Sequence, residues 1–535
     1  MGIRSEDGNT TRWDMDVPGP VVAGAIKLEG SMNSGNNDSR GPEKVRTGLI
    51  LLGPLLTFFA YLLAPQDLPP EARGTLLVAV WTVTWWVTEA VPIPAASLLP
   101  AVLLPLFGVC SAQVAAKYYS HYLILLLLGG FLLARAVECS GLHRRIALAT
   151  LTTVGTSPRR LAVGFLITSA MLSMWISNTA TTLMLMPIAI SVARRTEKNI
   201  QIPAGVFTTC LLLCTAYGAN VGGIGTLIGT PPNLIFAKNA GDLDPPVVID
   251  FLHWLTLGLP MVVVFIPLVG LLMTRFLLPL PGGESRDGME TLLEERKSLG
   301  KISSTETRVL MVFVVTALLW MTRGGAGMPG WSAPLAALMG IPAASAGAFL
   351  NDSIVAVAAA IALFVIPARR GGPALLNWDQ AKEVPWGMLL LFGGGFALGG
   401  AFQESGLAQY FGTLMARWVD LPFPGLVLCI SLATTFLTEV TSNTASMHLL
   451  MPILSSAAIE SGIPPLHMMI PAVLSVSCAF MLPVATAPNA IVFATGKVKI
   501  RTMLRCGFVL NLVGVAVVLL VTLLIKVLNW FPGAS

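Results

Sequence analysis

Long apolar runs, separated by short polar segments, constrain this chain more than any other feature of its sequence. Runs of about 17 to 25 residues recur from residue 47 to residue 530, long enough for a helix to cross the core of a bilayer. Hydrophobic residues make up 54% of the chain and charged residues 11%, against about 25% charged residues in soluble domains. The sequence therefore predicts an all-α polytopic membrane protein, multi-pass in the cell (inner) membrane.

The lengths and breaks of the apolar runs predict about eleven transmembrane helices. They cover approximately residues 47–64, 75–91, 96–110, 121–138, 206–238, 250–279, 309–322, 350–366, 385–402, 467–495 and 505–530. Residues 1–45 are polar and lack a signal-peptide core, which predicts a disordered cytoplasmic tail. With that start, the basic loops at 143–145, 280–308, 369–370 and 497–501 all fall in the cytoplasm, so the net charge of +5 indicates topology rather than nucleic-acid binding.

Two further apolar stretches, 161–192 and 424–459, are too short to cross the membrane twice. Each contains the polar tripeptide Ser-Asn-Thr, beginning at Ser177 and at Ser442. Arginine pairs flank the first stretch on both sides, which places both of its ends in the cytoplasm and predicts a re-entrant hairpin. The second stretch has Asp420 and Glu460 near its ends, so its hairpin is predicted to enter from the outside.

The two tripeptides belong to an internal repeat. The same offset of 265 residues relates Ser177 to Ser442 and the segment 125–142 to the segment 390–407. A third pair of blocks places Asn233 opposite Asn489, at an offset of 256. The three pairs of blocks occur in the same order in both halves. They predict a first repeat over 46–279, a cytoplasmic linker over 280–308 and a second repeat over 309–535. Since the hairpins enter from opposite sides, the repeats are predicted to be inverted, as in many transporters.

The repeated residues suit ion binding in a membrane. Ser-Asn-Thr offers hydroxyl and amide groups that donate to a carboxylate and accept from a cation. The segments 229–233 and 485–489 contain prolines that interrupt a long helix, and the half-helix that follows presents its positive end to an anion. Oxygen atoms exposed at such a break suit a hard cation such as sodium. Two tips and two breaks could thus hold one anion between them and one cation in each half.

Some of these residues could instead have a purely structural role. One Ser-Asn-Thr in a membrane helix usually joins helices by hydrogen bonds, but two in register, each followed by a similar break, favour a site. Glu439 beside the second tip is either functional or hydrogen-bonded to hairpin backbone. His448 lacks a counterpart in the first repeat, where Leu183 stands, and is predicted to pack.

The two tips, the two Thr-x-Pro-Asn breaks and the stretch WWVTEAVPIPAASLLPAVLLPLFGV (85–109) resemble the divalent anion/sodium symporter family of dicarboxylate, citrate and sulfate carriers, over about residues 47–530. The resemblance implies a homodimer in which a transport domain moves like an elevator against a scaffold domain. It implies substrate contacts at Asn178, Thr179, Asn443, Thr444, Thr230 and Thr486. It implies one sodium site at Ser173, Ser177, Asn178 and Gly229 and another at Thr438, Asn443 and the carbonyl of Ala485.

Together these features predict a secondary active transporter that imports di- or tricarboxylate anions such as succinate, fumarate or malate, with sodium as the coupling ion. Its partners would be the small anion, the lipid bilayer and a second copy of the chain, without nucleic acid. A sodium-coupled sulfate transporter, a sodium-independent dicarboxylate exchanger and an anion channel remain alternatives. The sequence has no H-E-x-x-H motif, paired intramembrane aspartates or nucleotide-binding loop, so an enzyme or an ATP-driven pump is not indicated.

Overall fold

The computed structural model describes residues 41–197, 203, 205–283, 286–324, 330–342, 345–416 and 421–528. Residues from Ile50 onward form one structural unit, and those before it form another. Most of the predicted tail, residues 1–40, lies outside the described residues, as does Asp420. The first helix begins at Gly41, within the last residues of the predicted tail.

The described residues are almost entirely helical or in short connections. The α-helices are, in chain order, α1 Gly41–Leu63, α2 Pro70–Thr88, α3 Ile93–Ala96, α4 Leu99–Leu106, α5 Ala112–Tyr118, α6 Tyr122–Ser140, α7 Leu142–Leu151, α8 Pro158–Ser173, α9 Asn178–Thr196, α10 Val206–Gly222, α11 Pro231–Gly241, α12 Phe251–Leu271, α13 Arg286–Ser298, α14 Ser304–Met321, α15 Ser332–Leu338, α16 Ala346–Phe349, α17 Asp352–Val365, α18 Trp378–Ala381, α19 Trp386–Glu404, α20 Leu407–Ala416, α21 Phe423–Thr438, α22 Asn443–Glu460, α23 Leu466–Ser475, α24 Ala487–Ala494 and α25 Ile500–Val527.

Within the described part, seven helices are long and apolar enough to cross a membrane. They cover Ala112–Ser140, Val206–Gly225, Phe251–Leu277, Ser304–Met321, Ala346–Val365, Trp386–Glu404 and Ile500–Val527. Other predicted spans appear as shorter apolar helices, so the count of eleven crossings stays a prediction. The predicted linker over 280–308 contains the helix α13, whose polar sequence had not predicted one.

The first Ser-Asn-Thr lies where α8 and α9 meet. Ser157 caps the start of α8 by accepting from Arg160 N, and Ser177 caps the start of α9 by accepting from Ala180 N. Near Gly288, Leu161 from the first turn of α8 and Val192 from the end of α9 lie side by side. Because the outer ends of both helices meet there, the two helices run antiparallel as a pair.

The second Ser-Asn-Thr lies in the same way between α21 and α22. The connection over 439–442 joins the two helices, and Asn443 begins α22. The ring of Phe423, at the start of α21, contacts the ring of His467, which follows the end of α22. The second pair is therefore also antiparallel, with its polar residues at the closed end.

Each helix pair is followed by a broken helix. In the first half, α10 ends at Gly222, a 3-10 turn covers Gly223–Gly225, and α11 begins at Pro231. In the second half, α23 ends at Ser475 and α24 begins at Ala487. The prolines sit in the first turn of the second half-helix, where a missing N–H costs nothing. The chain therefore leaves the helix earlier than the segments 229–233 and 485–489 predicted.

Helix α10 lies at the centre of the fold. All its residues from Phe207 to Gly222 are buried. It packs on α8 at small residues: a Cβ added to Gly222 would lie 2.2 Å from the carbonyl oxygen of Ala170. Such close backbone contact between apolar helices needs glycine. The first helix pair is therefore fixed against the broken helix that carries the first half of the site.

Candidate substrate and cation site

One cavity of about 690 Å³ brings both tips and both breaks together. All six residues predicted to contact substrate line it: Asn178, Thr179, Thr230, Asn443, Thr444 and Thr486. Five of the residues predicted to bind sodium line it as well: Ser177, Asn178, Gly229, Asn443 and Ala485. Residues 265 positions apart in sequence are thereby gathered around one space large enough for a small organic anion.

The remaining two predicted sodium ligands, Ser173 and Thr438, lie behind the tips and are fully buried. The Ser173 hydroxyl donates to Oδ1 of Asn178, and the Thr438 hydroxyl donates to Oδ1 of Asn443. An amide whose oxygen is held in this way keeps its N–H groups for another acceptor. Each tip therefore combines oxygen atoms suited to a hard cation with donors suited to an anion.

The asparagine of each Thr-x-Pro-Asn sequence holds the break open. Nδ2 of Asn233 donates to the carbonyls of Gly223 (3.0 Å) and Thr226 (2.7 Å). Nδ2 of Asn489 donates to the carbonyls of Ala479 (3.2 Å) and Leu482 (3.1 Å). The two sets of acceptors stand ten and seven residues before the asparagine in both halves. This shared geometry supports the repeat and explains why both asparagines are fully buried.

The residues before the two half-helices also form matching turns. Gly229 N donates to the carbonyl of Thr226, and Ala485 N donates to the carbonyl of Leu482, both at 3.2 Å. A Cβ at Gly229 would lie 2.5 Å from the carbonyl oxygen of Gly223, so the tighter first break requires glycine there. The second break extends over residues 476–486 and has room for Ala485.

The second break depends on a carboxylate. Oε1 of Glu439 accepts from the backbone N–H groups of Phe480 (2.8 Å) and Met481 (2.9 Å), and Oε2 accepts from that of Leu482 (2.9 Å). Nδ2 of Asn511 donates to the same carboxylate at 2.7 Å. Glu439 is 3% exposed. Its three backbone partners belong to the break and its side-chain partner, Asn511, to α25, whereas the sequence had offered the hairpin backbone as one alternative.

Two polar side chains of α10 join the halves. Nδ2 of Asn220 donates to Oγ1 of Thr486 (3.0 Å) and to Oδ1 of Asn489 (3.3 Å), and the Tyr217 hydroxyl donates to the carbonyl of Phe480 (3.0 Å). Asn220 was not among the site residues predicted from the sequence, although an amide in a largely apolar membrane helix indicates a functional position. Through these bonds a first-half helix helps to position the second break.

His448 packs, as predicted. Its ring lies among Trp86, Phe392 and Phe396, with ring centroids 5.7 to 6.0 Å apart. A Cβ at Gly395 would lie 2.2 Å from this ring. His448 is therefore enclosed by aromatic rings and does not line the cavity.

A charged cluster in the cavity wall was also missed. Arg135 lines the cavity together with Glu138 and Glu383, and its guanidinium pairs with both carboxylates. Among the cavity-lining residues of the described part, Arg135 is the sole Lys or Arg. The signal was a charge within the apolar helix α6, at a position whose counterpart in the repeat is Gly400.

Paired helix tips facing two broken helices around one cavity define a membrane transporter of the broken-helix class. The chain belongs to the family described as "Sodium:sulfate symporter transmembrane region", which matches residues 45–531. The predicted relationship is thereby confirmed. As a member of this family the chain is a sodium-coupled membrane transporter and not an enzyme.

Two similar proteins are named sodium-dependent dicarboxylate transporter SdcS. The one from Staphylococcus saprophyticus is 37% identical over 485 residues, which cover 88% of this chain and 90% of the relative. The one from Staphylococcus aureus (strain USA300) is 37% identical over 486 residues, which cover 88% and 89%. The likeness therefore extends over nearly the whole length of both proteins.

Two solved structures share the fold. The YdaH transporter of Alcanivorax borkumensis superposes with a TM-score of 0.56 at 14% identity, over 86% of this chain and all of that chain. MtrF of Neisseria gonorrhoeae gives a TM-score of 0.52 at 16% identity, over 76% and 83%. Both similarities support the all-helical fold.

Proposed function

We propose that this chain imports dicarboxylate anions of the succinate, fumarate and malate type, driven by sodium. One observation carries the proposal: both Ser-Asn-Thr tips and both half-helix starts line a single cavity. The relatives named as sodium-dependent dicarboxylate transporters support the same substrate class. The fold supports transport rather than chemistry on the substrate.

The anion would lie between the halves. Asn178, Thr179 and Thr230 contribute from one half, and Asn443, Thr444 and Thr486 contribute from the other. The positive ends of α9, α11, α22 and α24 and the neutral donors face the anion. None of these groups carries a full positive charge, so bound sodium supplies it. Small di-anions with a carboxylate at each end suit a site with donors on two sides.

Each half would hold one sodium ion. The first site consists of Ser173, Ser177, Asn178 and the backbone of Gly229. The second consists of Thr438, Asn443 and the carbonyl of Ala485. Hydroxyl, amide and peptide oxygens are ligands that hard cations prefer. The buried hydroxyls of Ser173 and Thr438, each bonded to a tip asparagine, support this assignment.

In the membrane, the pairs α8–α9 and α21–α22 would be re-entrant hairpins from the cytoplasm and from the outside. The repeats 46–279 and 309–535 would then be inverted around a cytoplasmic linker, 280–308, in the cell (inner) membrane. We further propose that the hairpins and broken helices move together like an elevator within a homodimer. The antiparallel course of both pairs, with polar residues at the closed ends, supports this arrangement.

Uptake of labelled succinate into proteoliposomes tests the proposal. We expect saturable uptake that requires an inward sodium gradient and is inhibited by fumarate and malate more than by citrate or sulfate. Sulfate as the strongest competitor would favour the sulfate carrier. Uptake driven by internal dicarboxylate in choline medium would favour the exchanger. Uptake that never saturates and needs no gradient would favour a channel.

A further inference from the structure

The cavity wall carries a salt-bridge cluster that the site described above does not use. Arg135 stands on α6, Glu138 follows one turn later, and Glu383 precedes α19. Nη1 of Arg135 lies 3.2 Å from Oε2 of Glu138, and Nη2 pairs with Oε2 of Glu383. All three residues line the cavity together with the tips and breaks.

The two carboxylates hold the guanidinium unequally. The side chain of Glu138 is 23% exposed, whereas that of Glu383 is 62% exposed. An ion pair with a well-exposed carboxylate contributes about 0 to 1 kcal/mol, because water competes and the side chain loses freedom. Glu383 can therefore leave Arg135 at little cost.

The guanidinium of Arg135 is suited to bind a substrate carboxylate in place of Glu383. The guanidinium presents its N–H groups in a planar fork that matches a carboxylate in a bidentate geometry. A substrate carboxylate has the same shape and charge as the Glu383 carboxylate. The Arg135–Glu383 contact thus represents the interaction that an entering anion could make.

The position of Arg135 lies outside the two-fold arrangement of the site. The offset of 265 residues pairs Arg135 with Gly400, so the repeat supplies no second guanidinium. A residue present in one half only has no symmetry-related counterpart to act from the opposite side of the membrane. Its effect should therefore be limited to one side of the membrane.

We propose that Arg135 is a carboxylate-capture residue at the cavity mouth, where Glu383 and a substrate carboxylate compete for its guanidinium. The proposal rests on the proposed dicarboxylate transport and adds a binding position distinct from the tips and breaks. Arg135 holds one carboxylate of the anion before the anion reaches the tips or after it leaves them. Glu383 then retakes the guanidinium and limits how long the anion stays.

The test is succinate exchange in proteoliposomes, with sodium fixed and succinate varied on one side at a time. Arg135→Gln should raise KM on one side by about two- to fivefold, the range expected for a partly exposed ion pair. Glu383→Gln should lower KM on the same side by about two- to fivefold, with kcat changed less. Both effects should shrink in high salt, because exposed charges are screened. Asp379→Asn, which removes an exposed ion pair with Lys382 outside the cavity lining, is the matched control.

The double variant separates competition from a general field effect. In an Arg135→Gln background, Glu383→Gln should leave KM unchanged, because there is no guanidinium to free. An equal fall in KM in both backgrounds would overturn the proposal, since it would show that Glu383 only repels the anion. An unchanged KM in both single variants would overturn it too, while wild-type exchange would leave the proposed function standing. Absence of dicarboxylate exchange by the wild-type protein would instead refute the proposed function.

Discussion

The first and second breaks share one set of hydrogen bonds and differ in another. In both, an asparagine amide holds two carbonyls of the interrupted segment, through Asn233 in one half and Asn489 in the other. The second break is longer and directs three backbone N–H groups to Glu439. The matched position in the first half is Met174, which is neutral.

This difference separates what the site needs from what each half needs to fold. The shared asparagine contacts set the carbonyl positions, so they belong to the site itself. The carboxylate satisfies N–H groups that a longer break exposes, because buried donors without acceptors are costly. Since Glu439 follows Thr438 in the chain, it also places a negative charge near the proposed second sodium site. We therefore expect two cation sites of similar ligands but unequal strength.

The largest expected effect tests the symmetry of the tips. Asn178→Ala and Asn443→Ala each remove an amide assigned to both the anion and a cation, so each should reduce succinate uptake by about 100-fold or more. The control Asn239→Ala removes a buried amide that donates to Ile235 within α11, away from the cavity lining. Proteoliposome uptake measures the effect, and size-exclusion chromatography checks folding. Substantial transport by either tip variant would show that the halves are not equivalent.

Loss of the carboxylate in the second break is expected to lower the stability of the protein more than a change at the matched position of the first half. Glu439→Gln replaces an acceptor of four donors by an amide that must turn an N–H₂ toward some of them, at a cost of about 2 to 4 kcal/mol. Met174→Gln, at the matched position of the first half, should cost much less. Thermal unfolding of the purified protein in detergent compares the two. Similar melting temperatures for both variants would contradict the assigned difference.

Removing the shared asparagine contacts should reduce the free energy of unfolding by a smaller amount, and by different amounts in the two halves. Asn233→Ala and Asn489→Ala each leave two carbonyls without this donor, at a cost of about 1 to 3 kcal/mol. Asn489 also accepts from Asn220, so its loss should be the larger one. The same unfolding assay ranks the variants. A larger loss from Asn233→Ala would mean that the first break depends more on its amide than the second does.

The smallest expected effects concern sodium alone. Ser173→Ala and Thr438→Ala remove a hydroxyl behind each tip, and each should raise the half-saturating sodium concentration by about three- to tenfold, with the maximal rate largely kept. Ser173→Ala should have the larger effect, because the first half has no carboxylate at the position matching Glu439. Sodium titration of succinate uptake tests this order. The reverse order would remove the argument for unequal cation sites.

The tips and breaks could be predicted from the sequence because the same motifs occur in register in both halves. Tripeptides and prolines in register identified both tips and both breaks, and the structure brings both tips and the start of each second half-helix to one cavity. The apolar runs also located the long helices to within a few residues, for example α6 against a predicted 121–138. Periodicity and repetition are local signals that survive without knowledge of the packing.

The unrepeated features could not be predicted, because they depend on contacts between distant segments. Glu439 meets residues 480–482, and Arg135 meets Glu383, across separations that no local pattern reports. The extent of each break was also missed, since proline indicates only where the second half-helix starts. Helix α13 in the polar segment 280–308 was not predicted, and its Gly288 packs against α8 and α9.

In the proposed mechanism, one anion is held jointly with one sodium ion in each half. The most direct measurement is succinate affinity of the purified wild-type protein at a series of sodium concentrations, with choline keeping the ionic strength constant. We expect the Kd for succinate to fall as the sodium concentration rises, more steeply than with its first power, and succinate to raise the affinity for sodium in turn. A succinate Kd independent of sodium would show that the anion and the sodium ions are not bound jointly.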